Sequence, residues 1–143
     1  MFFRKKIKSN LLKYYIPAQI SGCLFGVMLA NVFFEHALLE LSTKNRDGLH
    51  IFFSEIVATF GLIFIIFATL KDGKTIVAIS VATYISAGYW FTSSTSFANP
   101  AVSIARTFTD SFTGINYINT PTYILAEFIG LILAAYFLKI IYK

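Results

Sequence analysis

The sequence predicts an all-α membrane protein with four transmembrane helices and one short helix that enters the membrane from one side. Of its 143 residues, 57% are hydrophobic and only 13% are charged. Most of the apolar residues fall in four stretches, each near the length needed to cross the hydrocarbon of a bilayer, about 20 residues. A polar insert, which begins at Thr92, separates the last two stretches.

The four predicted spans follow one another without a linker rich in proline or serine. They cover about 14–34, 51–70, 75–91 and 122–142, the third being at the short end of the range. The first apolar run is too long for the core of a secretory signal peptide, so we keep it in the mature protein. We therefore expect a basic N-terminus at 1–13 and one membrane domain at 14–143.

Basic side chains predict the orientation of these spans. They precede the first span, separate the second from the third and close the chain: Arg4, Lys5, Lys6, Lys8, Lys13, Lys71, Lys74, Lys139 and Lys143. Because basic residues collect on the cytoplasmic side, we expect a multi-pass protein of the inner (plasma) membrane with both termini in the cytoplasm. The lipid bilayer is the expected partner. Nucleic acid is not, since no folded polar domain displays the positive charge.

Catalytic and metal chemistry have little support in the sequence. Cys23 is the only cysteine, and the two histidines, His36 and His50, flank the first long loop. We find no thiolate cluster, no nucleophile with a neighbouring base and no phosphate-binding loop. We therefore expect no enzyme activity, no metal and no cofactor.

A short pattern occurs twice, in the first and the fourth span. "AQISGCLFG", from Ala18, matches "AEFIGLILA", from Ala126. Small residues spaced by four let another helix approach closely, so we expect helix packing at Gly22, Gly26, Gly130 and Ala134. Because the two spans run in opposite directions, the pattern favours an inverted repeat over coincidence. Counting back from the first copy, we expect the sequence to begin inside its own first repeat.

The polar insert contains a clear helix start. Asn99 is a good N-cap and Pro100 suits the first helical position. We expect a half-helix from about 100 to 112 in which Arg106 pairs with Asp110 at i+4. Together with the hydroxyl-rich "TSSTSFA" before it, this helix is typical of a re-entrant element that lines a water-filled pathway for uncharged solutes. An amphipathic helix on the membrane surface stays the alternative.

The insert and its neighbours resemble the major intrinsic protein family, the aquaporins and glycerol facilitators. "NPA" at Asn99, Pro100 and Ala101 is similar to that family's second signature, and "SEIVATFGL", from Ser54, resembles the start of its fourth span. The resemblance covers the chain from Tyr14 onward. It implies spans three to six of an aquaporin-like fold with one half-helix, and implies that the first two spans and first NPA half-helix are missing.

The same resemblance implies roles for individual side chains. Glu55, with Thr59 on its face, is expected to support the pore loop by accepting hydrogen bonds from its backbone. Val102 stands where water channels have the filter arginine, and Ala87 where they have a histidine, so a wider filter is expected. Arg106 is expected at the pore mouth.

The resemblance implies a passive channel for small neutral solutes such as water, glycerol or neutral metalloid acids. The "FANPAVSIARTFTDSFTGI" stretch is most similar to a bacterial subgroup associated with arsenic resistance. Another copy of the chain in a homo-oligomer, or a partner chain, is expected to supply the missing half. Two alternatives stay open: a truncated, non-conducting remnant or assembly subunit, and a fragment of a secondary transporter.

Overall fold

The computed structural model describes residues 9–142, which form five helices and no strand. The helices are α1 (Leu12–Phe33), α2 (Leu49–Thr69), α3 (Lys74–Phe91), α4 (Pro100–Ala105) and α5 (Thr120–Ile141). Short 3-10 turns lie at Ser9–Leu11, Leu70–Asp72 and Arg106–Phe108. The all-α fold class is confirmed for these residues. Residues 1–8 of the predicted basic N-terminus, and Lys143, lie outside the described residues.

Three helices have the length and composition of membrane spans: α1, α2 with the turn that follows it, and α5. Their apolar side chains point outward, as Phe25, Ile132 and Tyr136 do with about two thirds of their surface exposed. Lipid tails solvate such apolar side chains, so these side chains need not be buried against other parts of the protein. The 18-residue α3 is the third predicted span, and its crossing of the membrane stays a prediction.

The closest helix pair is α2 with α5. A Cβ atom added at Gly130 would lie 2.6 Å from the carbonyl oxygen of Ile56, so only glycine permits this approach of the two backbones. Ala134, one turn further on, is fully buried. The Phe137 ring packs against Phe60, with centroids 5.6 Å apart. The predicted helix packing at Gly130 is therefore present.

Helix α1 lies apart from this pair and packs on α4 and the turn after it. A Cβ atom added at Gly22 or Gly26 would meet nothing within 4 Å. The structure differs from the prediction at these two glycines, since no described residue covers them. The reason is that α1 contacts the rest of the chain through its buried side chains, Val27 and Asn31, on its C-terminal half.

The half-helix is shorter than predicted. Its α-helical part ends at Ala105 and one 3-10 turn continues to Phe108, whereas we expected helix to 112. Thr109 is extended and its hydroxyl donates to Asn31 Oδ1 at 2.6 Å, which draws the chain out of the helix. Asn31 in turn donates to the carbonyl of Phe108 at 3.2 Å. This contact with α1 is what ends the helix.

The predicted pairing of Arg106 with Asp110 is wrong. Asp110 lies beyond the helix, and its carboxylate accepts hydrogen bonds from the backbone N–H of Thr43 at 2.8 Å and from the Thr43 hydroxyl at 3.0 Å. Arg106 instead donates to the hydroxyl of Tyr89 and to the carbonyl of Thr113. The i+4 spacing failed because the helix ends before it could bring the two side chains together.

The loop between α1 and α2 crosses the end of the insert. Ser42 N–H donates to the carbonyl of Thr107 at 2.9 Å, and Asn116 N–H to that of Lys44 at 2.8 Å. The Arg46 guanidinium donates to the carbonyls of Gly114 and Phe112. These bonds join two irregular segments, and they fix the C-terminal end of the insert.

Candidate pore half-site

The approach to α4 is held from one side by a carboxylate on α2. Glu55 is fully buried, and its two carboxylate oxygens accept hydrogen bonds from the backbone N–H groups of Phe97, at 3.3 Å, and Ala98. Ser54, which directly precedes Glu55, also contacts the insert: its hydroxyl oxygen accepts from the N–H of Ser93 at 2.9 Å. Glu55 therefore lies where the sequence analysis expected it, against the backbone of the polar insert.

The backbone of this approach has an uncommon conformation. Thr95, Ser96 and Ala98 have φ angles of 64°, 51° and 50°, in the left-handed region that non-glycine residues rarely adopt. Such residues cost on the order of 1–3 kcal/mol each and persist only where surrounding contacts hold them. The bonds to Glu55 hold the two peptides on either side of Phe97, and the Ser96 N–H donates to the Ser94 hydroxyl at 3.3 Å.

The same bonds orient a row of carbonyl oxygens. A trans peptide is planar, with its N–H and C=O pointing in opposite directions. Because the N–H groups of Phe97 and Ala98 point at Glu55, the carbonyls of Ser96 and Phe97 point away from it. A polar surface of backbone oxygens thus lies on the face of the segment opposite the carboxylate.

Asn99 joins the approach to the half-helix. Its side-chain oxygen accepts a hydrogen bond from Ala101 N–H at 3.0 Å, so the predicted N-cap is confirmed, with Pro100 at the first helical position. Its backbone N–H donates to a second carboxylate, Glu127 Oε1, at 3.1 Å. The side-chain NH2 group has no acceptor among the described residues, which leaves it able to donate to a solute.

Glu127 is the site residue that the sequence analysis missed. It lies on α5, 2% exposed, and the same Oε1 atom also accepts from the Ser103 hydroxyl at 2.6 Å. The two ends of the first turn of α4 are therefore tied to α5. The repeated pattern did mark this position, because Glu127 aligns with Gln19, but the pattern alone named no partner for it.

The remaining predicted residues divide into those near the half-helix and those apart from it. Thr59 is buried beside Gly130, yet its hydroxyl has no hydrogen-bond partner among the described residues, so loop support of that kind comes from Glu55. Val102 is partly buried and packs against the cluster of Phe97, Ile115 and Tyr123. Ala87 lies exposed on α3.

A cavity of about 330 Å³ lies between α1 and α4. Small and apolar side chains form one wall, and hydroxyls at 109, 111 and 113 form part of the other. The full lining is Cys23, Gly26, Val27, Ala30, Asn31, Val102, Ala105, Arg106, Thr109, Ser111 and Thr113. The hydroxyls follow one another, with 3.0 Å between the oxygens of Thr109 and Ser111 and 3.3 Å on to Thr113. A cavity with an apolar and a hydroxylic wall suits a small molecule of the same character.

Arg106 lies on the wall of this cavity, held by three contacts. Its guanidinium donates to the Tyr89 hydroxyl at 3.1 Å and to the Thr113 carbonyl at 3.4 Å, and it lies 5.4 Å from the centre of the Phe97 ring. Arg106 therefore places a positive charge on the cavity wall. Among the described residues, no group of three or more His, Cys, Asp or Glu side chains could hold a metal ion.

These features define a helical membrane protein in which a carboxylate of α2 holds the approach to a short helix and a carboxylate of α5 holds the first turn of that helix. The chain is 43% identical over 120 residues to the aquaglyceroporin AqpS of Rhizobium meliloti (strain 1021). That match covers 84% of this chain and 52% of AqpS, so the chain spans about half the length of this curated relative. The chain belongs to the major intrinsic protein family. No family model and no solved structure matches it.

Proposed function

We propose that this chain forms half of the wall of a passive membrane channel for small uncharged solutes. The observation that carries the proposal is which polar groups of Asn99 are hydrogen-bonded within the protein and which is not. Its N–H and its side-chain oxygen are occupied within the protein, and its NH2 group is the part left to donate to a passing molecule. A channel of this kind works without catalysis or cofactor.

The carbonyl oxygens of Ser96 and Phe97 complete the path that we propose. They offer acceptors next to the Asn99 donor, so a solute with both hydroxyl hydrogens and lone pairs can exchange water for protein hydrogen bonds. An ion gains less, because a charge leaving water needs several strong partners at once. The guanidinium of Arg106 adds a positive charge that repels cations.

The substrate class that we propose is a small neutral polyol or neutral acid, such as glycerol or an undissociated metalloid acid, with water. The name of the relative AqpS describes an aquaglyceroporin, which supports this class. Val102 and Ala87 are both small and uncharged, which suits a path wider than one for water alone. A second half-helix, from another segment, another copy or a partner chain, would complete the wall.

A non-conducting assembly subunit is the second candidate. The observation that favours it is the uncovered stripe at Gly22 and Gly26, where a Cβ atom would meet nothing within 4 Å. A helix face of this kind suits close packing by another membrane helix. In that case the chain would bind a partner through α1 and conduct nothing by itself.

Asn99→Asp is the substitution that tests the proposal. Aspartate keeps the oxygen that caps α4, but it loses the NH2 donor and adds a negative charge. The chain is reconstituted into liposomes, and light scattering is followed after osmotic shocks with sucrose, glycerol and a neutral metalloid acid. We expect glycerol flux above that of empty liposomes, and a loss of about tenfold or more in the variant, as for about 1.4 kcal/mol.

Asn119→Asp is the matched control for this measurement. Asn119 accepts from the backbone N–H of Arg46 through its side-chain oxygen, which aspartate preserves, and it precedes α5 and not α4. We expect parental flux from it. Equal loss in both variants would argue against a role for the Asn99 donor, and no flux from folded, inserted parent chain would favour the assembly subunit.

A further inference from the structure

The attachment of α4 to α5 has a consequence for selectivity. Glu55 and Glu127 together bind three successive backbone N–H groups, those of Phe97, Ala98 and Asn99. The two carboxylates belong to different helices. The position of the Asn99 side chain is therefore set by the contact between α2 and α5 and not by the insert alone.

From this arrangement we infer that Glu127 is a positioning residue that determines where the Asn99 amide lies in the pathway, and so determines which neutral solutes pass. This inference rests on the proposed channel function. Oε1 of Glu127 binds both ends of the first turn of α4, through Asn99 N–H and the Ser103 hydroxyl. Glu127 touches no cavity-lining side chain through these bonds, so it acts through Asn99.

The two oxygens of Glu127 are not equivalent, and this makes the inference testable. Oε1 accepts both hydrogen bonds, whereas Oε2 has no partner among the described residues. Glutamine can keep an oxygen at the first position and place its NH2 group at the second, where no hydrogen bond is lost. Glu127→Gln therefore preserves the attachment, while Glu127→Ala removes it. Gln19, the aligned residue of the first pattern, is already a glutamine.

Ser103 provides an independent variant. Its side chain is fully buried and its hydroxyl donates to Glu127, so Ser103→Ala weakens the attachment without changing the carboxylate. Thr107→Ala is the matched control. Thr107 lies on the same short segment, 6% exposed, and its hydroxyl donates to the local carbonyl of Ile104 at 2.7 Å, so it does not involve Glu127.

Two readouts separate this inference from the channel proposal. The first is the ratio of glycerol to water flux in liposomes. The second needs no flux: in a Cys23→Ala background, which removes the only cysteine, Val102→Cys reports on α4 through its rate of reaction with a methanethiosulfonate reagent. A displaced half-helix changes this rate, because Val102 lines the cavity.

We expect Glu127→Ala to lower the ratio of glycerol to water flux about tenfold and to change the labelling rate by at least about threefold, as the loss of hydrogen bonds to a charged group predicts. Ser103→Ala should change both in the same direction by less. Glu127→Gln and Thr107→Ala should stay within about twofold of the parent in both readouts. In free energy, a twofold change is less than half of a tenfold change.

The other outcomes test the positioning role of Glu127 and the channel proposal separately. Parental flux and labelling in Glu127→Ala would overturn the inference, as would a Glu127→Gln variant as impaired as Glu127→Ala. If Glu127→Ala fails to fold, the comparison of Ser103→Ala with Thr107→Ala decides, and equal behaviour of these two would overturn it. Changed labelling together with no flux in the parent would show that Glu127 positions α4, and it would reject both the channel and the role of Glu127 in selectivity.

Discussion

Helices α1 and α5 carry the same spaced small residues, but only α5 has them covered. Gly130 of α5 meets the backbone of α2, where an added Cβ atom would lie 2.6 Å from Ile56 O, whereas Gly22 of α1 meets nothing within 4 Å. The aligned polar residues differ in the same way, since Glu127 is buried and Gln19 is exposed. A small-residue stripe thus permits close packing, and the presence of a neighbouring helix decides whether it occurs.

The largest effect on stability is expected at Glu55, which lies on α2, the helix that covers the small residues of α5. Glu55→Ala leaves two buried N–H groups, those of Phe97 and Ala98, without an acceptor. At about 1–3 kcal/mol for each stranded group, the free energy of unfolding should fall by roughly 2–6 kcal/mol. Glu55→Gln should cost about half as much, because an amide keeps one acceptor oxygen.

Unfolding of the purified chain in mixed micelles, followed by circular dichroism, measures this effect. Glu127→Gln is the control, because it keeps the one oxygen that its site uses. Equal stability of Glu55→Gln and the parent would show that one oxygen suffices for both N–H groups, and the contrast between the two carboxylates would then fail.

A smaller effect, of opposite sign in the two helices, is expected at the aligned glycines. Gly130→Ala drives a methyl group into the backbone of α2, and overpacking of this kind typically costs about 1–3 kcal/mol. Gly22→Ala meets open space, and alanine is better than glycine inside a helix by about 0.5–1 kcal/mol. The same micelle unfolding should therefore show loss in the first variant and no loss in the second. Destabilisation by Gly22→Ala would reveal a helix that covers α1.

The smallest effect is expected at Asp110, where the loop after α1 contacts the segment that precedes α5. The backbone N–H of Thr43 donates to its carboxylate and holds the pKa of Asp110 below its ordinary value of 3.8. A carboxylate with a lowered pKa stabilises the folded loop above that ordinary value, and this contribution disappears as the pH falls through the lower, folded-state value.

Hydrogen exchange at the Thr43 amide, corrected for its intrinsic pH dependence, measures this contribution. We expect protection above pH 4 that declines as the pH is lowered further. Asp110→Asn should show weaker protection without that decline. Protection of the parent that stays constant to the lowest pH would show that the bond to Asp110 does not hold the loop.

Local patterns predicted the elements well, because the signals for them are local. Apolar run length located the long helices, and the Asn99–Pro100 pair located the start of α4. The end of α4 was not predictable in this way. It depends on Asn31, which accepts a hydrogen bond from the Thr109 hydroxyl and lies 78 residues before Thr109 in the chain. No spacing rule within the insert contains that information.

The candidate site divides along the same line. Glu55 was predicted through a family resemblance of its own segment, and it lies where that resemblance implied. Glu127 was not predicted, because its partners are 24 and 28 residues earlier in the chain. The pairing of Arg106 with Asp110 failed for the converse reason, since a correct local rule was applied to a helix that a distant side chain had already ended.

The attachment of Asn99 to Glu127 also bears on the order in which the molecule is made. The ribosome completes α4 before it begins α5, so when the half-helix first reaches the membrane only the α2 carboxylate is present to receive it. The loop with its left-handed residues can settle at its final depth once α5 has been inserted beside α2. Positioning of α4 is therefore expected to be a late event, in which a helix synthesised later sets the position of an element made before it.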